Sequence, residues 1–89
     1  MDELKSYREK IDSLDRELVR LFLERMEVVK NIARYKKENH IPVLDSGREA
    51  EVIHKVKGYV DDPDMKELIA KLFAYIMEIS KDIQKNTII

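Results

Sequence analysis

The chain is poor in residues that interrupt helices and in residues that carry out covalent chemistry. Its 89 residues include no cysteine, two glycines, two prolines and two histidines. Without cysteine, disulfides and thiol catalysis are excluded, and two separated histidines do not favour a metal site built from protein ligands. The scarcity of glycine and proline, together with 39% charged and 44% hydrophobic residues, is typical of a helical protein.

The charge balance and the hydropathy restrict the possible partners. Seventeen basic and eighteen acidic residues give a net charge of -1, so there is no electrostatic reason to expect nucleic acid or an anionic membrane. No apolar run approaches the roughly 20 residues of a transmembrane helix. The acidic, polar N-terminus also lacks the apolar segment of a signal peptide. We therefore expect a cytoplasmic protein with neither a nucleic-acid nor a membrane partner.

The first predicted element is one long helix, from about residue 3 to 39, which Pro42 ends. Apolar residues recur along it at spacings of three and four, forming a seam of Leu4, Tyr7, Ile11, Leu14, Leu18, Leu21, Val28, Ile32 and Tyr35. Arg25 occupies a position of this seam, where a cation needs an anionic partner. A helix of about 36 residues is roughly 54 Å long, whereas a compact domain of this size is only about 30 Å across. The sequence therefore predicts an intertwined homodimer, in which a second chain covers the helix.

A short second helix is predicted from about residue 48 to 59. Ser46 and Glu49 form the pattern of a capping box at its start, although Asp45 could be the N-cap instead. Capping explains Ser46 and Glu49 as structural residues. It does not explain Arg48, because a positive charge opposes the helix dipole at an N-terminus.

The third predicted helix runs from about residue 63 to 86. Asp62 is the expected N-cap and Pro63 the expected first helical residue, while residues 87–89 are expected to fray. The chain is thus predicted to be all-α, with one long, one short and one medium helix in a single domain over residues 1–89.

Several polar residues could belong either to the surface or to a site. Lys36 follows Arg25 by eleven residues, nearly a whole number of turns, so the two cations share a face. Taken alone, Lys36 is explained as a solvated lysine near a helix C-terminus. Arg8 is similarly explained as a surface residue. Ser80 and Gln84 are explained as partly exposed residues beside the apolar face of the third helix.

Taken together, these residues resemble the all-helical class of chorismate mutases. The matching segments keep their order and separation over nearly the whole chain; they are Tyr7-Arg8-Glu9-Lys10-Ile11-Asp12, Leu14-Asp15, Glu24-Arg25, Tyr35-Lys36, Pro42-Val43, Asp45-x-x-Arg48-Glu49 and Ser80-x-x-x-Gln84. Gly47 departs from the pattern without removing a matching functional group. The resemblance implies an isomerase, forming an intertwined homodimer, that converts chorismate to prephenate in phenylalanine and tyrosine biosynthesis, downstream of the shikimate pathway.

The resemblance also implies eight substrate-binding residues. Those that contact the carboxylates of chorismate, or lie near them, are Arg8, Arg25, Lys36, Arg48 and Ser80. The donors to the ether oxygen of the breaking bond are Lys36 and Gln84, and the acids near the ring hydroxyl are Asp45 and Glu49. The expected catalytic residues are Arg8, Arg25, Lys36 and Gln84. No cofactor or metal is implied, because this rearrangement requires neither a nucleophile nor a redox group.

Arg8 is expected to act in the site of the partner chain. It precedes Arg25 by seventeen residues, about 25 Å along a straight helix, so the two cannot hold one chorismate from the same helix. Each protomer would then complete the other's site. Ile32, Val52 and Met77 are the expected apolar wall that excludes water.

Two other functions remain open at this level. Isochorismate-pyruvate lyase is another enzyme that has the same fold. Asp45 and Glu49, which are expected near the ring hydroxyl, favour the mutase. A non-catalytic helical dimerisation module is the other alternative, but it would leave Arg25 unpaired in the seam. Since the chain stops after the third predicted helix, we expect either a monofunctional enzyme or a domain taken from a fusion.

Overall fold

The structure is a computed structural model that describes residues 2–87. These residues form three α-helices and no strand: α1 (Glu3–Glu38), α2 (Ser46–Lys57) and α3 (Pro63–Thr87). The predicted all-α class is therefore confirmed. No helix within the described range is both long and apolar enough to cross a membrane.

Helix α1 ends through backbone hydrogen bonds before the chain reaches Pro42. His40 has a positive φ of 55°, and its N–H donates to the Lys37 carbonyl at 3.3 Å. The Ile41 N–H donates to the Lys36 carbonyl at 2.8 Å. This pair of bonds is a Schellman motif, in which a left-handed residue reverses the chain. The turn brings the following loop back towards the last turns of α1.

Helix α2 is capped by Asp45, one of the two alternatives that the sequence left open. The Asp45 carboxylate accepts a hydrogen bond from the Arg48 N–H at 2.9 Å. Ser46 is thus the first helical residue, and α2 begins and ends two residues earlier than predicted, at Ser46 and Lys57. No capping box forms, because the Glu49 carboxylate pairs with a side chain of α3 instead.

Helix α3 begins as the sequence predicts. Asp62 accepts a hydrogen bond from the Asp64 N–H at 2.9 Å, and Pro63 is the first helical residue. Thr87, expected to fray, is still helical, and its hydroxyl donates to the Ile83 carbonyl at 2.7 Å. The rest of the expected frayed tail, residues 88 and 89, lies outside the described residues.

Helix α3 packs against both α1 and α2, while α1 and α2 do not pack directly on each other within residues 2–87. Few apolar side chains of the described residues are buried; they are Met26, Val29, Ala33, Val52, Val56 and Met77. All of the α1 members come from its C-terminal half. The core therefore joins only the second half of α1 to the other helices.

The first half of α1 extends beyond this core. Residues 3–20 are all exposed, and their apolar seam, from Leu4 to Leu18, is 54% to 61% exposed. The chain measures 58 × 27 × 15 Å, with a radius of gyration of 16.5 Å, whereas a compact domain of this length has about 12 Å. A single chain thus leaves a long apolar stripe in contact with water.

Candidate active site

A cleft of about 360 Å³ lies between the C-terminal half of α1, the start of α2 and the end of α3. This volume lies within the usual range of small-ligand sites. Its charged lining residues are Arg25, Lys36, Asp45, Arg48, Glu49 and Lys81. The remaining lining residues are Val28, Val29, Ile32, Val43, Val52, Met77, Ser80 and Gln84.

Seven of the eight residues singled out from the sequence line this one cleft, and Arg8 does not. Arg8 is exposed in the extended first half of α1. It stands seventeen residues before Arg25 on the same uninterrupted helix, about 25 Å away by the helical rise. The three residues expected to form the apolar wall, Ile32, Val52 and Met77, also line the cleft.

Arg25 is a half-buried cation without a counter-ion among residues 2–87. Its Nη1 donates to the Ser80 hydroxyl at 2.9 Å, and that hydroxyl donates to the Ile76 carbonyl at 2.8 Å. No carboxylate of residues 2–87 forms an ion pair with Arg25. Burial, and secondly the charge of Arg48, lower the pKa of Arg25 from its ordinary value. An arginine nevertheless stays charged at neutral pH, so its charge is left for a ligand to balance.

Lys36 and Gln84 form a second polar pair in the cleft. The Lys36 ammonium donates to the Gln84 Oε1 at 3.2 Å and to the Val43 carbonyl at 3.0 Å. The Val43 contact depends on the turn at His40, which folds the loop back over α1. Because Gln84 accepts through its oxygen, its amide N–H groups keep their donor capacity, with no recorded partner among residues 2–87. Lys36 and Gln84 thus present donors that can converge on one acceptor.

The start of α2 brings both signs of charge to the cleft. Arg48 pairs with Glu51 one turn along the helix, while Asp45 caps α2. Glu49 reaches across to α3, where its carboxylate lies 3.3 Å from the Lys81 ammonium.

Lys81 is the charged lining residue that the sequence reasoning missed. Its ammonium also lies 3.2 Å from Glu78, one turn earlier in α3, and both carboxylates raise the pKa of Lys81, Glu78 most strongly. Adjacency to Ser80 and the spacing to Gln84 were visible signals. The partner Glu49 was not, because it belongs to another helix.

The lining as a whole is electropositive. It carries four cations and two carboxylates, although the chain as a whole has a net charge of -1. Positive charge concentrated in a concave, partly apolar site favours a small anionic ligand. The site can orient such a ligand and donate hydrogen bonds to it, whereas no nucleophile and base are paired within this lining.

Comparisons with known proteins agree with this chemistry. The family described as Chorismate mutase type II matches residues 7–85. The chorismate mutase of Methanocaldococcus jannaschii is 29% identical over 87 residues, which cover 97% of this chain and 88% of that protein. The bifunctional chorismate mutase/prephenate dehydratase of Aquifex aeolicus is 38% identical over 56 residues, which cover 63% of this chain but only 16% of that longer protein.

Two solved structures of chorismate mutase are also similar to this chain. The form II structure of chorismate mutase from Thermus thermophilus superposes with a TM-score of 0.90 at 31% identity, covering 94% of this chain and 96% of that one. The form I structure superposes with a TM-score of 0.83 at 32% identity, covering 89% and 99% of the two chains. The family that the sequence resembles is therefore confirmed. The chain belongs to the type II chorismate mutase family, and it is accordingly an isomerase.

Proposed function

We propose that the cleft binds chorismate and converts it to prephenate, with the seven lining residues singled out from the sequence as the substrate-binding set. Arg25 is the observation that carries this assignment. It is a half-buried cation that hydrogen-bonds Ser80 and has no carboxylate partner among the described residues. Burying a charge is costly unless it is compensated, and a dicarboxylate ligand supplies the compensation.

Catalysis by this cleft consists of orientation and electrostatic stabilisation. In the rearrangement one C–O bond breaks as one C–C bond forms, and both carboxylates are retained, so no nucleophile or proton transfer is required. Arg25 and Arg48 hold the substrate by its carboxylates, and the Ser80 hydroxyl assists. Charged, bidentate donors of this kind fix a flexible dianion in its reactive chair-like conformer.

Lys36 and Gln84 act on the ether oxygen, which gains negative charge as its bond lengthens. Their polar atoms lie 3.2 Å apart, and the Val43 carbonyl holds Lys36 in place at 3.0 Å. Donors fixed before the reaction need no reorganisation in the transition state, and one such donor is worth about 3 kcal/mol of barrier. Glu49 accepts the hydrogen bond of the ring hydroxyl and Asp45 lies near it, an arrangement that favours the mutase over the lyase reaction.

The complete site includes Arg8 of a second copy of the chain. The support is the exposed apolar seam of residues 3–20, which a single chain leaves bare, and the distance of Arg8 from its own cleft. A two-fold, self-complementary pairing of α1 buries this seam on both protomers. Such an intertwined homodimer, with one domain per chain over residues 1–89 and two shared sites, is the assembly that we propose for a cytoplasmic enzyme.

Turnover is tested by incubating the protein with chorismate, following the loss of its ultraviolet absorbance and identifying the product. We expect prephenate, and we expect Lys36→Ala to lower kcat at least about a hundredfold. Lys37→Ala is the matched control, because Lys37 is exposed and adjacent. No turnover of chorismate at any concentration would overturn the proposal. Release of pyruvate from isochorismate, without prephenate formation from chorismate, would favour the lyase.

The shared site is tested by mixing two inactive variants. In a dimer of one Arg8→Ala chain and one Arg25→Ala chain, one site keeps both arginines and the other loses both. Random re-association therefore restores about a quarter of the wild-type sites. Each variant measured alone is the control. If the mixture stays inactive although it forms mixed dimers, Arg8 does not serve the partner's cleft.

A further inference from the structure

The ion pair between Glu49 and Lys81 is the one that joins α2 to α3 at the cleft. Its two side chains are 30% and 24% exposed, which makes it the least exposed ion pair recorded within residues 2–87. The other α2–α3 ion pair, Lys57 with Glu67, lies away from the cleft and is 38% and 73% exposed. Exposed ion pairs contribute little to stability. The consequence of the Glu49–Lys81 pair is instead that it orients a carboxylate that lines the cleft.

Lys81 is held from its outer side as well. Glu78 contacts the Lys81 ammonium at 3.2 Å, and Glu78 itself is exposed and does not line the cleft. The ammonium is thus bridged between an outer and an inner carboxylate, so its charge is already balanced. Unlike Arg25, Lys81 is therefore not free to bind a ligand carboxylate without giving up a partner.

Glu49 would otherwise have alternative partners. It occupies the first turn of α2, where its carboxylate could turn back towards the free N–H groups at the helix start or extend into water. The Lys81 ammonium, at 3.3 Å, directs it across the cleft instead. A hydrogen-bond acceptor contributes to substrate selection only when its orientation is fixed in advance.

We propose that Lys81 is a positioning residue that fixes the Glu49 carboxylate to accept the hydrogen bond of the substrate's ring hydroxyl. The inference rests on the proposed function, in which Glu49 meets that hydroxyl. Lys81 acts through Glu49 and is not assigned a contact with the substrate. The bridge Glu78–Lys81–Glu49 then selects ligands that carry the hydroxyl.

The test compares Lys81→Met with Lys85→Met, a lysine one turn further along α3 that is exposed and outside the cleft. Both are assayed with chorismate and with an analogue lacking only the ring hydroxyl. We expect Lys81→Met to lower kcat/KM for chorismate about tenfold, the effect of a misplaced charged hydrogen bond. With the analogue we expect less than about a twofold change, because Glu49 then has no hydroxyl to accept from. Lys85→Met should match wild type on both substrates.

Two further variants separate positioning from simple structural support. Lys81→Arg keeps the cation and should recover most of the activity on chorismate. In a Glu49→Gln background, Lys81→Met should cause no additional loss, since Lys81 acts only through Glu49. Should Lys81→Met fail to fold, Lys81→Ala removes the same ammonium with a smaller side chain and gives the same readout, a loss on chorismate alone.

Three results would overturn the inference while leaving the proposed function intact. They are an equal loss on chorismate and the analogue, an additive loss in the double variant, and a Lys81→Met enzyme indistinguishable from Lys85→Met. If the wild-type protein does not convert chorismate at all, the proposed function itself has failed.

Discussion

Replacing Arg25 with methionine removes a charge of the cleft that has no carboxylate partner among the described residues. Methionine keeps the unbranched stem of the side chain and suits the apolar seam between Leu21 and Val28. The substitution deletes one protein hydrogen bond, from the guanidinium to Ser80. The Ser80 hydroxyl keeps its own bond to the Ile76 carbonyl at 2.8 Å, so no buried group is left without a partner.

The net effect on stability is the difference of two contributions of similar size. The lost hydrogen bond to Ser80 destabilises the variant by about 1.5 kcal/mol. Relief of the desolvation of a half-buried cation, together with its repulsion from Arg48, stabilises the variant by about 2 to 3 kcal/mol. We therefore expect the free energy of unfolding of Arg25→Met, measured without ligand, to exceed that of wild type by about 1 kcal/mol. In the homodimer that we propose both chains carry the substitution, so the gain is about 2 kcal/mol per dimer, a rise in Tm of about 4–8 °C.

With a bound dicarboxylate, wild type should become more stable than Arg25→Met. Prephenate at about a hundred times its Kd stabilises the wild-type protein by about 2.7 kcal/mol, whereas the variant, lacking Arg25, should gain almost nothing and have no measurable turnover. Thermal unfolding at one fixed protein concentration, with and without prephenate, measures both effects. Arg34→Met, which alters an exposed arginine of the same helix, should stay within about 0.5 kcal/mol of wild type. An Arg25→Met protein less stable than wild type by more than about 1 kcal/mol without ligand would refute the claim that Arg25 is kept for binding at a cost to the fold.

Single substitutions at three other positions provide further tests. His40→Gly should raise the free energy of unfolding by about 1 kcal/mol in a urea titration, because glycine adopts the positive φ of 55° without strain; no gain would contradict the Schellman turn. Gly47→Ala should stabilise α2 by about 0.5–1 kcal/mol in the same assay, since the added Cβ would lie 3.5 Å from the Asp45 carboxylate, an ordinary contact; a loss would show that the loop needs glycine. Gln84→Glu should lower kcat at about pH 7, because an ionised carboxylate beside Lys36 cannot donate to the ether oxygen. Its activity should recover as the pH falls towards about 5, while the wild-type pH profile stays flat from about pH 5 to 8; a Gln84→Glu profile parallel to wild type would argue against this role.

The three-helix order could be predicted because its signals are local. The uninterrupted seam of α1 and the Asp62-Pro63 start of α3 each specify an element without reference to the rest of the chain. The start of α2 could be predicted only to within two residues, since Asp45 and Ser46 are both good N-cap residues. The deciding contact, between Glu49 and Lys81, is tertiary.

The same distinction explains what the sequence did and did not indicate about the cleft. The eleven-residue spacing of Arg25 and Lys36 placed two cations on one face, and both line the cleft. Lys81 was not singled out although it adjoins Ser80, because its partner Glu49 lies on a different helix. The left-handed turn at His40 was also missed, because Pro42 is by itself a sufficient reason for α1 to end, although histidine is among the residues enriched at positive φ.

The excess of cations in the cleft limits what charge alone can discriminate. Reactant and product of the rearrangement both carry two carboxylates, and so do malonate, succinate and other small acids used as buffers. An unbalanced Arg25 attracts all of them, so the apparent KM should rise in dicarboxylate buffers and product should compete with substrate. Selectivity must then come from other residues. The apolar wall of Ile32, Val52 and Met77 distinguishes ligands by shape, and the carboxylates of Asp45 and Glu49 distinguish them by their hydroxyl groups.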